Sequence, residues 1–180
     1  MMYDTSEDNR NDTLRDALSN MDYYVLDQTH TGTGALGKRA GSLDLQLRYP
    51  DGSVWTNLEA LNLKSDSDSQ MKYWDKHLNK LMINYNGAGL PSLFLISYVN
   101  CDANRFNGIC ESYREHIRSY KHENFVFRSE SLTDVPLRDG QYAWLRVLRG
   151  TYDLDGTPVT VYHYFVGFTK GTRGSEEFDD

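Results

Sequence analysis

Asp44 and Glu59 are spaced so that a single β-hairpin would bring two carboxylates together. The stretch Gly41-Ser42-Leu43-Asp44-Leu45-Gln46-Leu47-Arg48-Tyr49 alternates apolar and polar residues and runs into Pro50-Asp51-Gly52-Ser53. A second alternating run, Val54-Trp55-Thr56-Asn57-Leu58-Glu59-Ala60-Leu61, follows at once. Alternation marks half-buried strands, and Pro-Asp-Gly marks a tight turn. Pairing Tyr49 with Val54 across the four-residue loop sets Asp44 directly opposite Glu59. Opposed residues share a face, with Cβ atoms about 4.5–5.5 Å apart. Like charges so placed repel, and a hard divalent cation, which takes oxygen ligands, is the natural compensation. A slip of one residue in register would separate the pair.

The same face carries Gln46, Arg48 and Asn57, while Leu45, Leu47, Val54 and Leu58 point to the core. On spacing alone this is ordinary solvent-exposed sheet. Glu59, however, sits within Leu58-Glu59-Ala60-Leu61, where an idle buried carboxylate would be costly. Beyond the hairpin, Ser65-Asp66-Ser67-Asp68-Ser69 supplies N-caps for a helix running to about Tyr85. Its apolar stripe is Met71, Trp74, Leu78, Leu81 and Tyr85. Tyr73, His77, Lys80 and Asn84 form a separate line at i+3 and i+4 spacing. That line is either a solvated helix face or a wall turned toward the hairpin.

Gly41-x-Leu43-Asp44, a hairpin, then Leu58-Glu59-Ala60 and a helix together resemble the PD-(D/E)xK superfamily, the restriction-endonuclease-like nucleases. The resemblance covers roughly residues 12–120, with its specific part in 41–64. It implies Mg²⁺- or Mn²⁺-dependent cleavage of DNA phosphodiesters, with Asp44 and Glu59 as metal ligands and a lysine that orients or activates the attacking water. The position two after Glu59 is Leu61, so the family's lysine is missing from its usual place. Lys64 is the nearest substitute, and lysines of the next helix, Lys80 among them, are the others. A chain without the lysine has a second reading: a catalytically inactive module that binds nucleic acid or protein, or serves assembly. A narrower likeness joins Asp27-Gln28-Thr29, the glycine loop, Glu59-Ala60-Leu61-Asn62-Leu63-Lys64 and His77-Leu78-Asn79-Lys80. These look like nuclease-like domains found beside NTPase proteins of bacterial anti-phage systems. That likeness implies a defence role with an NTPase or sensor partner, and sets Gln28 near the site. Lys38, Arg39, Gln28 and His77 are the candidate DNA contacts.

The elements that would position these residues follow from periodicity. Residues 1–11 read as flexible, and Asn11 or Asp12 caps a short helix with Leu14, Ala17, Leu18 and Met21 inward. Tyr23–Leu26 is a short strand, and Asp27–Gly41 a glycine-rich loop. Gly32-x-Gly34-x-x-Gly37 has the spacing of a dinucleotide fingerprint, but no helix pattern follows it, so the required context is absent. Ser92–Val99 is a buried strand, and Ala103 to about Tyr120 a helix with Phe106, Ile109, Cys110, Tyr113 and Ile117 inward. Phe125–Phe127 is a short strand. A long hairpin, Tyr142–Thr151 with Thr157–Phe168, turns at Asp153-Leu154-Asp155-Gly156, which lacks the later ligands of a calcium loop. Its aromatics (Tyr142, Trp144, Tyr152, Tyr162, Tyr164, Phe168) are either sheet packing or a protein-binding or dimerisation surface. Residues 170–180 form an acidic tail. The order predicts one α/β domain, a central mixed β-sheet flanked by helices with a C-terminal hairpin extension.

Composition agrees with this. Hydrophobic residues are 39% and charged residues 25% of 180, which fits a soluble globular domain. The net charge of −7 argues against a general basic coat for nucleic acid, though not against a local basic cleft. Cys101 and Cys110 give no disulfide framework or zinc spacing and read as thiols of a reducing cytoplasm. No apolar run is long enough to span a bilayer, so no membrane association is expected.

Overall fold

The computed structural model describes residues 6–30, 42–137 and 143–168. Lys38, Arg39 and the glycine loop, Tyr142 and the acidic tail lie outside the described residues. The chain runs α1 (Glu7–Asn20), β1 (Tyr24–His30), β2 (Ser42–Arg48), β3 (Val54–Leu63), α2 (Asp68–Asn79) and a π-helical turn (Lys80–Asn84). It continues through β4 (Ser92–Asn100), α3 (Phe106–Ser119), β5 (Phe125–Asp134), β6 (Leu145–Leu154) and β7 (Thr157–Phe168). The seven strands form one mixed sheet in the order β1-β2-β3-β4-β7-β6-β5, flanked by the three helices. β4 lies in the middle, parallel to both β3 and β7, and the other neighbours are antiparallel. A strand covered on both faces needs near-continuous apolar sequence, and Leu93-Phe94-Leu95-Ile96 supplies it.

The sheet divides two cores. On one face α2, the π-helical turn and α3 bring Trp74, Leu78, Leu81, Phe106, Ile109 and Tyr113 against Leu61, Leu63, Leu95 and Phe165. On the other, Leu14 and Leu18 of α1 pack on Leu45, Leu47, Leu58, Ala60, Ile96 and Tyr98. No helix among the described residues is long and apolar enough to cross a membrane.

Several local expectations change. The first helix is capped by Ser6, whose Oγ accepts from the Asn9 N–H at 3.2 Å, so residues 7–11 are helix rather than a loose lead-in. Its first turns face inward through polar side chains, Arg10 and Asn11, which an apolar-periodicity reading passes over; Ala17 and Met21 are exposed. The Arg10 guanidinium donates to Asn62 Oδ1 and Asn100 Oδ1, each at 2.6 Å, and lies 4.1 Å from the Phe168 ring centroid. Strand β1 takes in Asp27–His30, because pairing with β2 overrides the turn propensity of those residues. β5 is ten residues long rather than three, paired to β6 through a register irregularity between Arg128 and Thr133. The last hairpin turns at Asp155-Gly156, both with positive φ (49° and 81°), the geometry that two-residue hairpin loops favour.

Candidate active site

The β2–β3 hairpin reaches the expected register by a different route. Arg48, not Tyr49, pairs with Val54, and the Tyr49 N–H donates to the Ser53 carbonyl at 2.9 Å. That tip register alone would miss Asp44 by one residue. A β-bulge then lets Trp55 through unpaired, so Leu47 faces Thr56 and Leu45 faces Leu58. The bulge also turns Val54 to the α2 side and Trp55 to the α1 side, the reverse of the expected face for Val54.

Beyond Leu45 and Leu58 the paired stretch ends, and carboxylates take over the edge of β3. The Ala60 N–H donates to Asp44 Oδ2 at 2.7 Å, and the Asn62 N–H donates to Glu7 Oε2 at 3.0 Å. Two successive backbone donors are thus satisfied by side chains from β2 and α1 rather than by a strand. Asp44 and Glu59 do not meet as a simple cross-strand pair; they share a notch where the strands part.

The polar face expected at the surface is instead buried beneath α2. Gln46 and Asn57 are each 2% exposed and Glu59 is 0% exposed. Arg48 Nε donates to Gln46 Oε1 (2.9 Å), Gln46 Nε2 to Asn57 Oδ1 (3.0 Å), and Asn57 Nδ2 to the Tyr85 carbonyl (2.6 Å). This polar file ties the hairpin to the end of the π-helical turn. Asn57→Ala removes the acceptor of the buried Gln46 amide and the donor to the Tyr85 carbonyl, and is expected to cost about 1–3 kcal/mol in urea unfolding.

Glu59 is where helix and hairpin meet. Its Oε1 accepts from His77 Nδ1 at 2.7 Å and from Lys80 Nζ at 2.8 Å, while the buried Oε2 has no partner. The His77 ring meets Tyr73 edge-on at 4.6 Å. Of the line read from spacing, Tyr73, His77 and Lys80 turn toward the hairpin; Asn84 is exposed and lines a neighbouring cleft. The helix widens here: the Tyr85 N–H reaches back five residues to the Lys80 carbonyl at 3.0 Å, a π-bulge of the kind frequent at functional sites. Leu61 is 0% exposed in the α2-side core, so a lysine there would bury its charge. The cation arrives from the helix instead. Lys64 is exposed past the end of β3, bonded through its backbone N–H to Gln70 Oε1, and makes no ion pair among the described residues. Gln28 lies on β1 between Asp27, opposite Leu45, and Thr29, opposite Leu43, which sets its backbone beside Asp44.

Burial and crowding shape the charges. Desolvation, then the neighbouring Glu59 charge, pushes the Asp44 carboxyl up to about 7 against the pull of the Ala60 N–H and Lys80. Glu7 is also raised, by burial first, with His77 and the Asn62 N–H pulling the other way. For Lys80 burial pulls the ammonium down, but the Glu59 hydrogen bond and charge outweigh it, and the net shift is upward. Glu7 went unrecognised in the sequence, where an acidic residue after a serine reads only as first-turn helix chemistry.

Among the described residues no group of three or more His, Cys, Asp or Glu side chains is arranged to hold a metal ion. The notch still fits a hard cation that keeps water and substrate in most of its coordination sphere, as Mg²⁺ does. The unpartnered Glu59 Oε2 and the repelled Asp44 carboxylate are oxygen donors that such a charge would satisfy. Compared with protein-family models, with curated proteins and with solved structures, the chain matches none.

Proposed function

We propose that this protein is a metal-dependent endonuclease of restriction-endonuclease-like fold that cleaves DNA phosphodiesters with Mg²⁺ or Mn²⁺. The observation that carries this reading is the Lys80 ammonium 2.8 Å from Glu59 in a notch shared with Asp44. Two carboxylates and a lysine are the set that the sequence resemblance called for, with the lysine delivered by a helix. Asp44 and Glu59 Oε2 hold the cation. Bound there, the cation would lower the pKa of water and stabilise charge on the scissile phosphate. Lys80 offsets the carboxylate charge and orients the attacking water; His77, bonded to the same Glu59 oxygen, fixes the rotamer. Glu7 holds the edge of β3 open at Asn62, which keeps the notch from closing into a sheet. A setting in phage defence, beside an NTPase or sensor protein, belongs to the same proposal and rests on the resemblance alone.

The test is cleavage of plasmid and linear DNA with Mg²⁺ or Mn²⁺ by wild type, Asp44→Ala and Glu59→Ala. Metal-dependent cutting lost in both variants supports the reading; cutting that survives in both sinks it. Because the cation and the proton compete for Asp44, which titrates near 7 in the metal-free protein, metal affinity should rise with pH through that range. Mn²⁺ affinity that does not change between pH 5.5 and 8.5 would remove Asp44 from the site.

The inactive-module reading looks to an exposed aromatic face on the last hairpin. Tyr152 is fully buried and Tyr162, Tyr164 and Phe168 are half-buried, which favours sheet packing over docking, and of the described aromatics of that set Trp144 alone is exposed, at 38%.

A further inference from the structure

The helix that delivers Lys80 also walls an open cleft of about 530 Å³, which Lys80 shares with the notch. Lys72, Lys76 and Lys80 recur along it at i, i+4 and i+8, so three ammonium groups follow one line. Lys72 and Lys76 are exposed and make no ion pair among the described residues. Asp75, a carboxylate in the same wall, is engaged by His116 Nε2 at 2.7 Å. The facing wall holds His122 and Asn124. His122 is fixed in place: its ring stacks on Phe125 with centroids 4.5 Å apart, and its Nδ1 accepts from the Asn124 N–H at 3.1 Å. A ring whose Nδ1 accepts carries its proton on Nε2, so His122 presents a donor. In a chain of net charge −7, Lys72 and Lys76 in line with the Glu59-paired Lys80 are a local exception.

We infer that this cleft is the track for a nucleic-acid strand, with Lys72, Lys76 and His122 holding successive phosphates and Lys80 passing the strand to Asp44 and Glu59. A repeating row of cations suits a repeating anion better than it suits one isolated phosphate. The inference rests on the nuclease reading for the identity of that polyanion.

The experiment is fluorescence anisotropy of a fluorescein-labelled DNA 20-mer, single-stranded and duplex, in EDTA so that no cutting occurs. Wild type, the Lys72→Gln/Lys76→Gln double variant and Arg118→Gln, a charge change elsewhere on the surface, are compared across a salt series. The double variant should bind about tenfold more weakly. Its plot of log affinity against log salt should be shallower by about 0.7–0.9 per lysine removed. Arg118→Gln should match wild type. Equal binding by the double variant and wild type, or no binding of either DNA by wild type, overturns the inference. Lysine-dependent binding without metal-dependent cutting would sink the nuclease reading and leave the track standing. Cutting with binding indifferent to these lysines would do the reverse.

Discussion

Asp44→Asn is expected to stabilise the metal-free protein at pH 8 by a few kcal/mol while abolishing DNA cleavage. The fold raises the Asp44 pKa from its ordinary 3.8 to about 7, chiefly by burial and then by Glu59. The native state therefore holds a proton that the unfolded chain releases, and wild-type stability falls as pH rises from about 4 to about 7. The penalty is complete above pH 7 and absent well below 4. Asn keeps an acceptor for the Ala60 N–H and carries no charge, so the gain should build across that window and hold above it. For a chain of this length a few kcal/mol corresponds to roughly 5–10 °C in thermal midpoint. Thermal scans of both proteins at pH 4 and pH 8, in EDTA, check it. Equal midpoints at pH 8 would mean that Asp44 is not under electrostatic strain. The opposed effects on stability and activity are those of a group positioned for function at a cost to the fold.

The second large effect is at the ion pair. Lys80→Met leaves the buried Glu59 carboxylate with His77 alone, and because Lys80 itself is half-buried the loss is expected to be about 2 kcal/mol, below that of a fully buried pair. Cleavage should fall at least 100-fold. Adding Glu59→Gln to Lys80→Met removes the stranded charge, so the double variant should recover most of the lost stability with no return of activity. Urea unfolding of the four proteins in the cycle measures the coupling. Additive losses would mean that Lys80 and Glu59 do not depend on one another for stability.

The hairpin, the central strand and the apolar stripes of α2 and α3 were legible because each follows one strong period. The Leu45–Leu58 register was also legible, although by luck of compensation: the turn is tighter than read, and the Trp55 bulge restores the lost residue, but the parting of the strands at Asp44 and Glu59 was not. Nothing in the alternation of Val54 to Leu61 marks that bulge. The burial of Gln46 and Asn57 was not legible either, because a polar side chain reads as exposed until its partner, here a helix-terminal carbonyl, is known. Lys80 could be placed on a line with Tyr73 and His77, but its choice over Lys64 depends on the π-helical turn and on how α2 docks. Glu7 and Arg10 act through partners more than fifty residues away, which no local pattern records.

The most direct test of the two-carboxylate site is Mn²⁺ binding to chelator-treated protein, followed by loss of the free-ion electron paramagnetic resonance signal at pH 8. One Mn²⁺ per chain in wild type, with binding strongly weakened in both Asp44→Asn and Glu59→Gln, is the expected result. Binding that persists undiminished in both variants, or no binding by folded wild type, would contradict a metal centre at Asp44 and Glu59.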